Sequence, residues 1–208
     1  KCLKQILKFD NQSPRTYYEL GRVYSQGLYQ YDKAIPEFEK ALEIYEKWDS
    51  KPYFVARYTF LGECYHKTGQ YNKERKLYRK AEKDFPDISS LISRETILAL
   101  SEGRTKDANE YIEKYISIRK ENSVSQATIA ANLAFIYKEA NILEKAEEYY
   151  RQAYSFEPLN PLRLNSLAYF LIDKDRNINE GMELIEKALE LKPDYYPLLQ
   201  TKGWGLYK

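Results

Sequence analysis

Apolar side chains recur along most of this chain at the spacing of amphipathic helices. They fall at positions i, i+3, i+4 and i+7 in segments such as IPEFEKALEIYEKW and GMELIEKALELKP. That period places them on one face of a helix. Glycine and proline, with eight residues each, are too scarce to interrupt the pattern often. The pattern therefore predicts an all-α protein.

These helical segments repeat at a regular interval. The small residue that ends the first half of each repeat recurs after 41, 34, 38, 34 and 35 residues. The six positions are Gly21, Gly62, Thr96, Ala134, Ala168 and Gly203. The second half carries a small residue, an aromatic or aliphatic residue and an alanine, as in Ala34, Phe38 and Ala41. Self-similarity at a period of about 20–50 residues is typical of a stacked repeat array.

The order of these residues resembles the tetratricopeptide repeat (TPR), whose unit has the pattern W-x2-L-G-x2-Y…A-x3-F…P. The resemblance covers nearly the whole chain. It implies an all-α fold, a right-handed α-solenoid of antiparallel helix pairs. It also implies one solenoid domain over residues 1–208, with about five full repeats and a half repeat at each end. The expected repeats are 1–13 (partial), 14–54, 55–88, 89–126, 127–160, 161–195 and 196–208 (partial).

No repeat has the leading tryptophan of the pattern, which Tyr17 and Tyr58 replace in the first two repeats, and two repeats depart further. The second has Glu74 where a small residue is expected, and the third has Glu95 and Thr96 in place of Leu-Gly and Tyr115 in place of alanine. A small residue lets two helices approach closely, because larger side chains overpack the crossing. The third repeat is therefore the most degenerate.

The two ends of the chain carry partial repeats. The stretch PLLQTKGWGLYK places Gly203 in the small-residue register, so we expect a helix over residues 196–207 rather than a flexible tail. The segment CLKQILKFDNQ resembles a second helix without its first. We therefore expect the chain to come from a longer array.

Turn residues are consistent with short connections between helices. Gly69 and Gly103 stand where a helix must stop. Ser89, Asn122 and Asn160 are candidates to cap the helices that follow them.

Composition narrows the classes of partner. The net charge of +2 indicates no general affinity for nucleic acid, and no apolar run is long enough to insert into a membrane. Cys2 and Cys64 form no disulfide framework. The chain begins with lysine, so the compartment stays open between the cytoplasm and, if an upstream signal was removed, the periplasm. The abundance of isoleucine, lysine and tyrosine suggests a bacterial source.

The sequence contains no catalytic or metal-binding constellation. The single histidine, His66, lies two residues from Cys64 on a predicted helix, so the two side chains point to different faces. No clustered metal ligands and no phosphate-binding loop are present. We therefore expect no cofactor, no metal and no enzymatic activity.

The resemblance implies a function in protein binding. In such proteins the first helix of each repeat lines a concave groove that holds a peptide or helix of a partner. The corresponding positions here are Tyr18, Arg22, Thr59, Glu63, His66, Arg94, Ile97, Asn132, Phe135, Lys138, Asn165 and Tyr169. A clamp for a carboxylate terminus is disfavoured, because Glu63 would repel it and the first two repeats lack the asparagines.

The partner is therefore expected to be another protein or peptide, bound by an interaction scaffold. The alternatives are an assembly or oligomerisation module, with self-association through the open terminal repeats, and a sensor or regulatory domain of a larger protein.

Overall fold

The computed structural model describes residues 5, 10–48 and 50–208, and within them helices are the only regular secondary structure. The predicted all-α fold is confirmed. The half repeat predicted over residues 1–13 lies mostly outside the described residues, as does Cys2. The chain divides into two compact parts, which we call the N-terminal body (Lys1–Tyr115) and the C-terminal body (Ile116–Lys208).

Eleven helices lie within the described residues. The first, α1, is continued by a π-helical turn over Val23–Gly27. The helices are α1 (Pro14–Arg22), α2 (Tyr31–Lys47), α3 (Ala56–Lys67), α4 (Tyr71–Asp84), α5 (Ser89–Ser101), α6 (Thr105–Glu121), α7 (Gln126–Glu139), α8 (Leu143–Phe156), α9 (Pro161–Asp173), α10 (Ile178–Leu191) and α11 (Tyr196–Tyr207). The helix predicted over residues 196–207 is thus present.

Aromatic rings fill the core of the N-terminal body. Helix α1 packs on α2, α2 on α3, and α3 on both α4 and α5. The rings of Tyr18 and Phe38 lie 5.7 Å apart, and Phe60 stacks on Phe38 at 6.4 Å. Tyr58 and Tyr78 are almost fully buried. No single helix pair could bury this apolar surface alone, so neighbouring pairs share it.

Glycine residues allow two helix pairs of the N-terminal body to cross at close distance. A Cβ added to Gly21 would lie 2.7 Å from the ring of Phe38, and one added to Gly62 would overlap the ring of Tyr78. Glu74, at a position where a small residue was expected, is 1% exposed. Its carboxylate lies 3.0 Å from Nδ1 of His66, so the departure from the pattern is accommodated by a buried polar contact.

The third repeat buries the residues that break its pattern. Thr96 is fully buried, and its hydroxyl donates to the carbonyl oxygen of Ile92 at 2.7 Å. Glu95 is 6% exposed, and burial raises its pKa to about 7, with the nearby Glu82 adding to the effect. A partly protonated carboxyl therefore occupies a core position that leucine fills in other repeats.

The C-terminal body repeats the same packing scheme. Helix α7 packs on α8, α8 on α9, α9 on α10, and α11 on both α9 and α10. Its core includes Leu164, Leu167, Phe170, Leu171, Ile185 and Leu198. The small positions Ala134 and Ala168 are fully buried.

Gly203, in the small-residue register of the terminal half repeat, does not lie at a close helix crossing. Gly203 is exposed, and an added Cβ would meet nothing within 4 Å. The buried glycine of α11 is Gly205, where a Cβ would overlap the sulfur of Met182. The register places Gly203 on the side where other first helices meet their second helix, and no helix of the described chain packs there.

Candidate partner-binding pocket

A cavity of about 680 Å³ lies between α9 and α11 in the C-terminal body. We call it the α9–α11 pocket. Its volume is in the range of protein sites that enclose small molecules or peptide side chains. The residues that line it are Tyr150 from α8, Asn165, Ser166, Tyr169 and Asp173 from α9, and Pro197, Gln200, Thr201, Gly203 and Trp204 from α11.

Helical periodicity explains why α9 presents polar groups to this pocket. Asn160 caps the helix by accepting a hydrogen bond from the backbone N–H of Leu162 at 2.9 Å. Asn165, Tyr169 and Asp173 follow at intervals of four residues and therefore share one face. The buried residues of α9 are Leu164, Leu167, Ala168, Phe170, Leu171 and Ile172. The apolar face fixes the helix and leaves the polar face towards the pocket.

Helix α11 forms the opposite wall by the same rule. Pro197, Gln200, Thr201 and Trp204 occur at spacings of three, one and three residues, which places them on one side of the helix. The hydroxyl of Thr201 donates to the carbonyl oxygen of Pro197 at 3.1 Å, so this polar group is satisfied within the helix.

Two of the residues that line the pocket carry a buried polar atom without a hydrogen-bond partner. These atoms are the side-chain oxygen of Asn165 and the indole nitrogen of Trp204. One is an acceptor and the other a donor. Buried polar groups in folded proteins are nearly always paired, so Asn165 and Trp204 are the lining residues with unused hydrogen-bonding capacity.

Aromatic rings and one carboxylate give the pocket its character. Tyr169 is 42% exposed, whereas Tyr150 is buried against Phe170 with ring centroids 5.1 Å apart. Burial raises the pKa of Tyr150. Among the described residues that line the pocket, Asp173 is the only one with a charged side chain. Its carboxylate pairs with the ammonium of the adjacent Lys174 at 3.0 Å.

The structure corrects two of the predicted groove residues. Tyr18 is only 8% exposed, because its ring is covered by Phe38, Phe60 and the guanidinium of Arg57 at 4.7 Å. Ile97 is 1% exposed. Both side chains belong to the core and offer almost no surface to a partner. The helical register gives the angle of a residue around its helix but not how far neighbouring side chains cover it.

The remaining predicted residues of the N-terminal body are accessible or half-buried, and most of the charged ones are paired. Arg22 is exposed and bonds Glu19 at 3.2 Å. Arg94 and Glu63 form an ion pair at 2.6 Å. His66 is in contact with Glu74, as described above, and Thr59 is half-buried. The basic side chain of Arg94 is therefore neutralised by Glu63.

In the C-terminal body the predicted residues fall at two places. Asn165 and Tyr169 line the α9–α11 pocket. Asn132, Phe135 and Lys138 lie on α7, where Phe135 is 39% exposed and the ammonium of Lys138 lies 5.0 Å from the centre of its ring.

The sequence reasoning missed several residues of the pocket, among them Asp173 and Trp204. The sequence contained evidence for Asp173, because this residue lies four residues after Tyr169 on the same helix face. It contained no evidence for Trp204, because the proximity of this residue to α9 depends on how α11 packs.

The buried cysteine of the N-terminal body does not have the environment of a reactive thiol. Cys64 is fully buried, and burial raises the pKa of its thiol to about 12, so the reactive thiolate is disfavoured. The described residues contain no group of three or more His, Cys, Asp or Glu side chains that could hold a metal ion. None of the described helices is both long enough and apolar enough to cross a membrane.

Comparison with known proteins places this architecture in a family. Sequence profiles of the tetratricopeptide repeat match residues 12–86 and residues 127–158, which together are just over half of the chain. A TPR repeat-containing protein of Pseudomonas aeruginosa is 35% identical over 75 residues. That segment is 36% of this chain and only 13% of the Pseudomonas protein, so the chain matches a small part of that relative.

Solved structures share the fold at low sequence identity. PilW, a widely conserved type IV pilus biogenesis factor, superposes with a TM-score of 0.59 at 20% identity, over 81% of this chain and 72% of its own. TTC0263 of Thermus thermophilus gives 0.54 at 21% identity, over 94% and 100%. YrrB, a TPR protein with an unusual peptide-binding site, gives 0.52 at 14% identity, over 98% of each chain. The chain therefore belongs to the tetratricopeptide repeat proteins and has their all-α solenoid fold.

Proposed function

We propose that this chain is a protein-interaction scaffold that holds a peptide segment of a partner protein in the α9–α11 pocket. The repeat fold and its likeness to YrrB, which has a peptide-binding site, support the general role of a scaffold. The observation that carries the specific proposal is the pocket itself, a cavity of about 680 Å³ between two first helices of adjacent predicted repeats.

The lining suits a peptide better than a purely apolar ligand. Aromatic surface from Tyr169 stands beside polar side chains of Asn165, Gln200 and Asp173. A peptide presents the same mixture, because every residue carries an amide along with its side chain. Aromatic residues are also the side chains that most often dominate binding free energy at interfaces.

The predicted groove residues outside the pocket lie in two separate places. On α7 these are Asn132, Phe135 and Lys138, and on the N-terminal body they are Arg22, Thr59, Glu63, His66 and Arg94. We propose that each set offers a contact surface of its own, with Phe135 the main apolar contact on α7 because its ring is 39% exposed.

The two tryptophans permit a direct test. A random peptide display library would be selected on the purified chain, and selected peptides would be added to two single-tryptophan variants. In Trp48→Phe the remaining Trp204 reports from the pocket, and we expect its fluorescence to change on binding. In Trp204→Phe the remaining Trp48, which is 55% exposed and lies outside the pocket, should not respond. Peptides that change only the fluorescence of Trp48 would refute the proposal.

A second candidate function, self-association, is favoured by the exposed apolar residues of α11. Leu199, Leu206 and Tyr207 are 48%, 72% and 79% exposed. If copies associate through this face, light scattering should show a mass that rises with concentration, and Leu206→Glu should abolish the rise. A constant monomer mass up to high concentration would exclude this candidate.

A further inference from the structure

The charge in the lining of the α9–α11 pocket is negative. Asp173 is its only charged lining residue among those described, and its side chain is 24% exposed. Lys174, the residue that pairs with it, is a neighbour in sequence with a side chain that is 36% exposed. Such water-exposed pairs are weak. The Asp173 carboxylate is therefore available to a cation that enters the pocket.

Beside the pocket, an aromatic ring and a carboxylate already hold the ammonium group of one lysine. The ammonium of Lys208 lies 5.5 Å from the centre of the Trp204 ring and 2.8 Å from the carboxylate of Asp175. Within the pocket, Tyr169 and Asp173 offer the same combination of an aromatic ring and a carboxylate, four residues apart on α9. Aromatic faces attract cations through their quadrupole, and the attraction grows as water is excluded.

The unpaired polar atoms define a second element of recognition. The oxygen of Asn165 needs a donor and the indole N–H of Trp204 needs an acceptor. Amide groups carry both a donor and an acceptor. They are present in the main chain of a peptide and in the carboxamide of a glutamine or asparagine side chain.

Taking the proposed function as its basis, we propose that the α9–α11 pocket selects a basic peptide segment. A lysine or arginine side chain lies against Tyr169 with its charge on Asp173, and amides of the same segment pair with Asn165 and with Trp204. An acidic segment or a free carboxylate terminus is rejected, because it would meet the Asp173 carboxylate while the nearby ammonium groups of Lys174 and Lys208 are already paired with Asp173 and Asp175.

Three blocked peptides test this selection, acetyl-Gly-Arg-Gly-amide and its glutamine and glutamate counterparts. The probe signal is the ¹H–¹⁵N resonance of the Trp204 indole in the labelled chain, assigned with Trp48→Phe. We expect the arginine peptide to shift this resonance at the lowest concentration, the glutamine peptide to act about tenfold more weakly, and the glutamate peptide to have no effect. Acetyl-Gly-Gly-Gly-amide, which carries no side-chain amide, is compared with the glutamine peptide. The comparison distinguishes recognition of a side-chain amide from recognition of the main chain.

Asp173→Asn is the matching variant, with Glu183→Gln as control because Glu183 is exposed and does not line the pocket. Asp173→Asn should weaken the arginine peptide about tenfold and leave the glutamine peptide within about twofold. Unchanged thermal unfolding would show that the variant is folded. Equal binding of the arginine and glutamate peptides, no shift with any peptide, or no effect of Asp173→Asn would overturn the selection. If charge-independent shifts of Trp204 persist, the peptide pocket stands and only its preference for basic segments fails.

Discussion

At the scale of single residues, the absence of a side chain at position 62 has a structural cause. The ring of Tyr78 fills the space that a Cβ on Gly62 would occupy, and that ring is almost fully buried and cannot move aside. Gly203 occupies the same register in the terminal half repeat, but an added Cβ there would meet nothing within 4 Å. Two glycines in the same register thus have opposite environments.

Gly62→Ala and Gly203→Ala should therefore change stability in opposite directions. Overpacking at Gly62 is expected to lower the free energy of unfolding by about 1–3 kcal/mol. At Gly203 the better helix propensity of alanine should raise it by about 1 kcal/mol or less. Urea denaturation followed by circular dichroism measures both. Equal effects of the two substitutions would contradict the packing described for α3 and α4.

The buried carboxyl of Glu95 makes stability depend on pH. Its pKa is about 7 in the folded chain against an ordinary value of 4.5, so folding favours the protonated form. The contribution is fully present below pH 4.5 and is lost as the pH rises through about 7.

Glu95→Gln removes this dependence, because glutamine is neutral throughout. The variant should gain stability relative to the wild type between pH 5 and pH 8, by up to about 3 kcal/mol. Glu113→Gln, at an exposed position on α6, serves as the control and should show no such gain. Denaturation curves at the two pH values give the free energies of unfolding. A difference in this free energy between Glu95→Gln and wild type that is the same at both pH values would refute the raised pKa of Glu95.

At the scale of helices, the sequence predicts where elements lie better than how they begin. Glycine ends two helices as expected, since Gly69 and Gly103 have φ values of +70° and +69°. Asn160 caps α9 as predicted. Ser89, however, is the first residue of α5 rather than its cap, and the preceding Ile88 provides no side-chain hydrogen bond.

The cap of α7 shows why such details escape sequence reasoning. The segment NSVSQ offers three residues able to cap a helix, and Asn122 was the expected one. The left-handed turn at Ser123, with φ +56°, instead positions Ser125, whose side chain accepts from the N–H of Thr128 at 3.2 Å. Asn122 donates backwards to the carbonyl of Ile118. The backbone conformation, which the residue types do not determine, decides which of the three residues caps the helix.

Removing the cap tests this assignment. Ser125→Ala should lower the free energy of unfolding by about 1 kcal/mol, because an N–H at the start of α7 loses its acceptor. Asn122→Ala should cost less than about half of that. Thermal unfolding monitored by circular dichroism gives both values, and the reverse order would restore Asn122 as the cap.

At the scale of the molecule, periodicity and repeat spacing were sufficient to predict the all-α repeat fold. The lining of the α9–α11 pocket was predicted only in part. Register along one helix identified Asn165 and Tyr169, and it would also have found Asp173. Trp204 lies on another helix, so its place in the pocket follows from packing that no single repeat encodes. The prediction that Tyr18 and Ile97 are accessible in the groove was wrong for the same reason, because the burial of a side chain depends on the helices packed around it.

The most direct measurement of the central claim is calorimetric titration of a library-selected peptide into the wild-type chain and Tyr169→Ala. Truncating an exposed aromatic ring in a binding pocket is expected to weaken affinity at least about tenfold. Tyr53→Ala is the matched control, because Tyr53 is 81% exposed and lies outside the pocket. The account predicts that affinity falls with Tyr169→Ala and stays within about twofold with Tyr53→Ala. Unchanged affinity with Tyr169→Ala would contradict it.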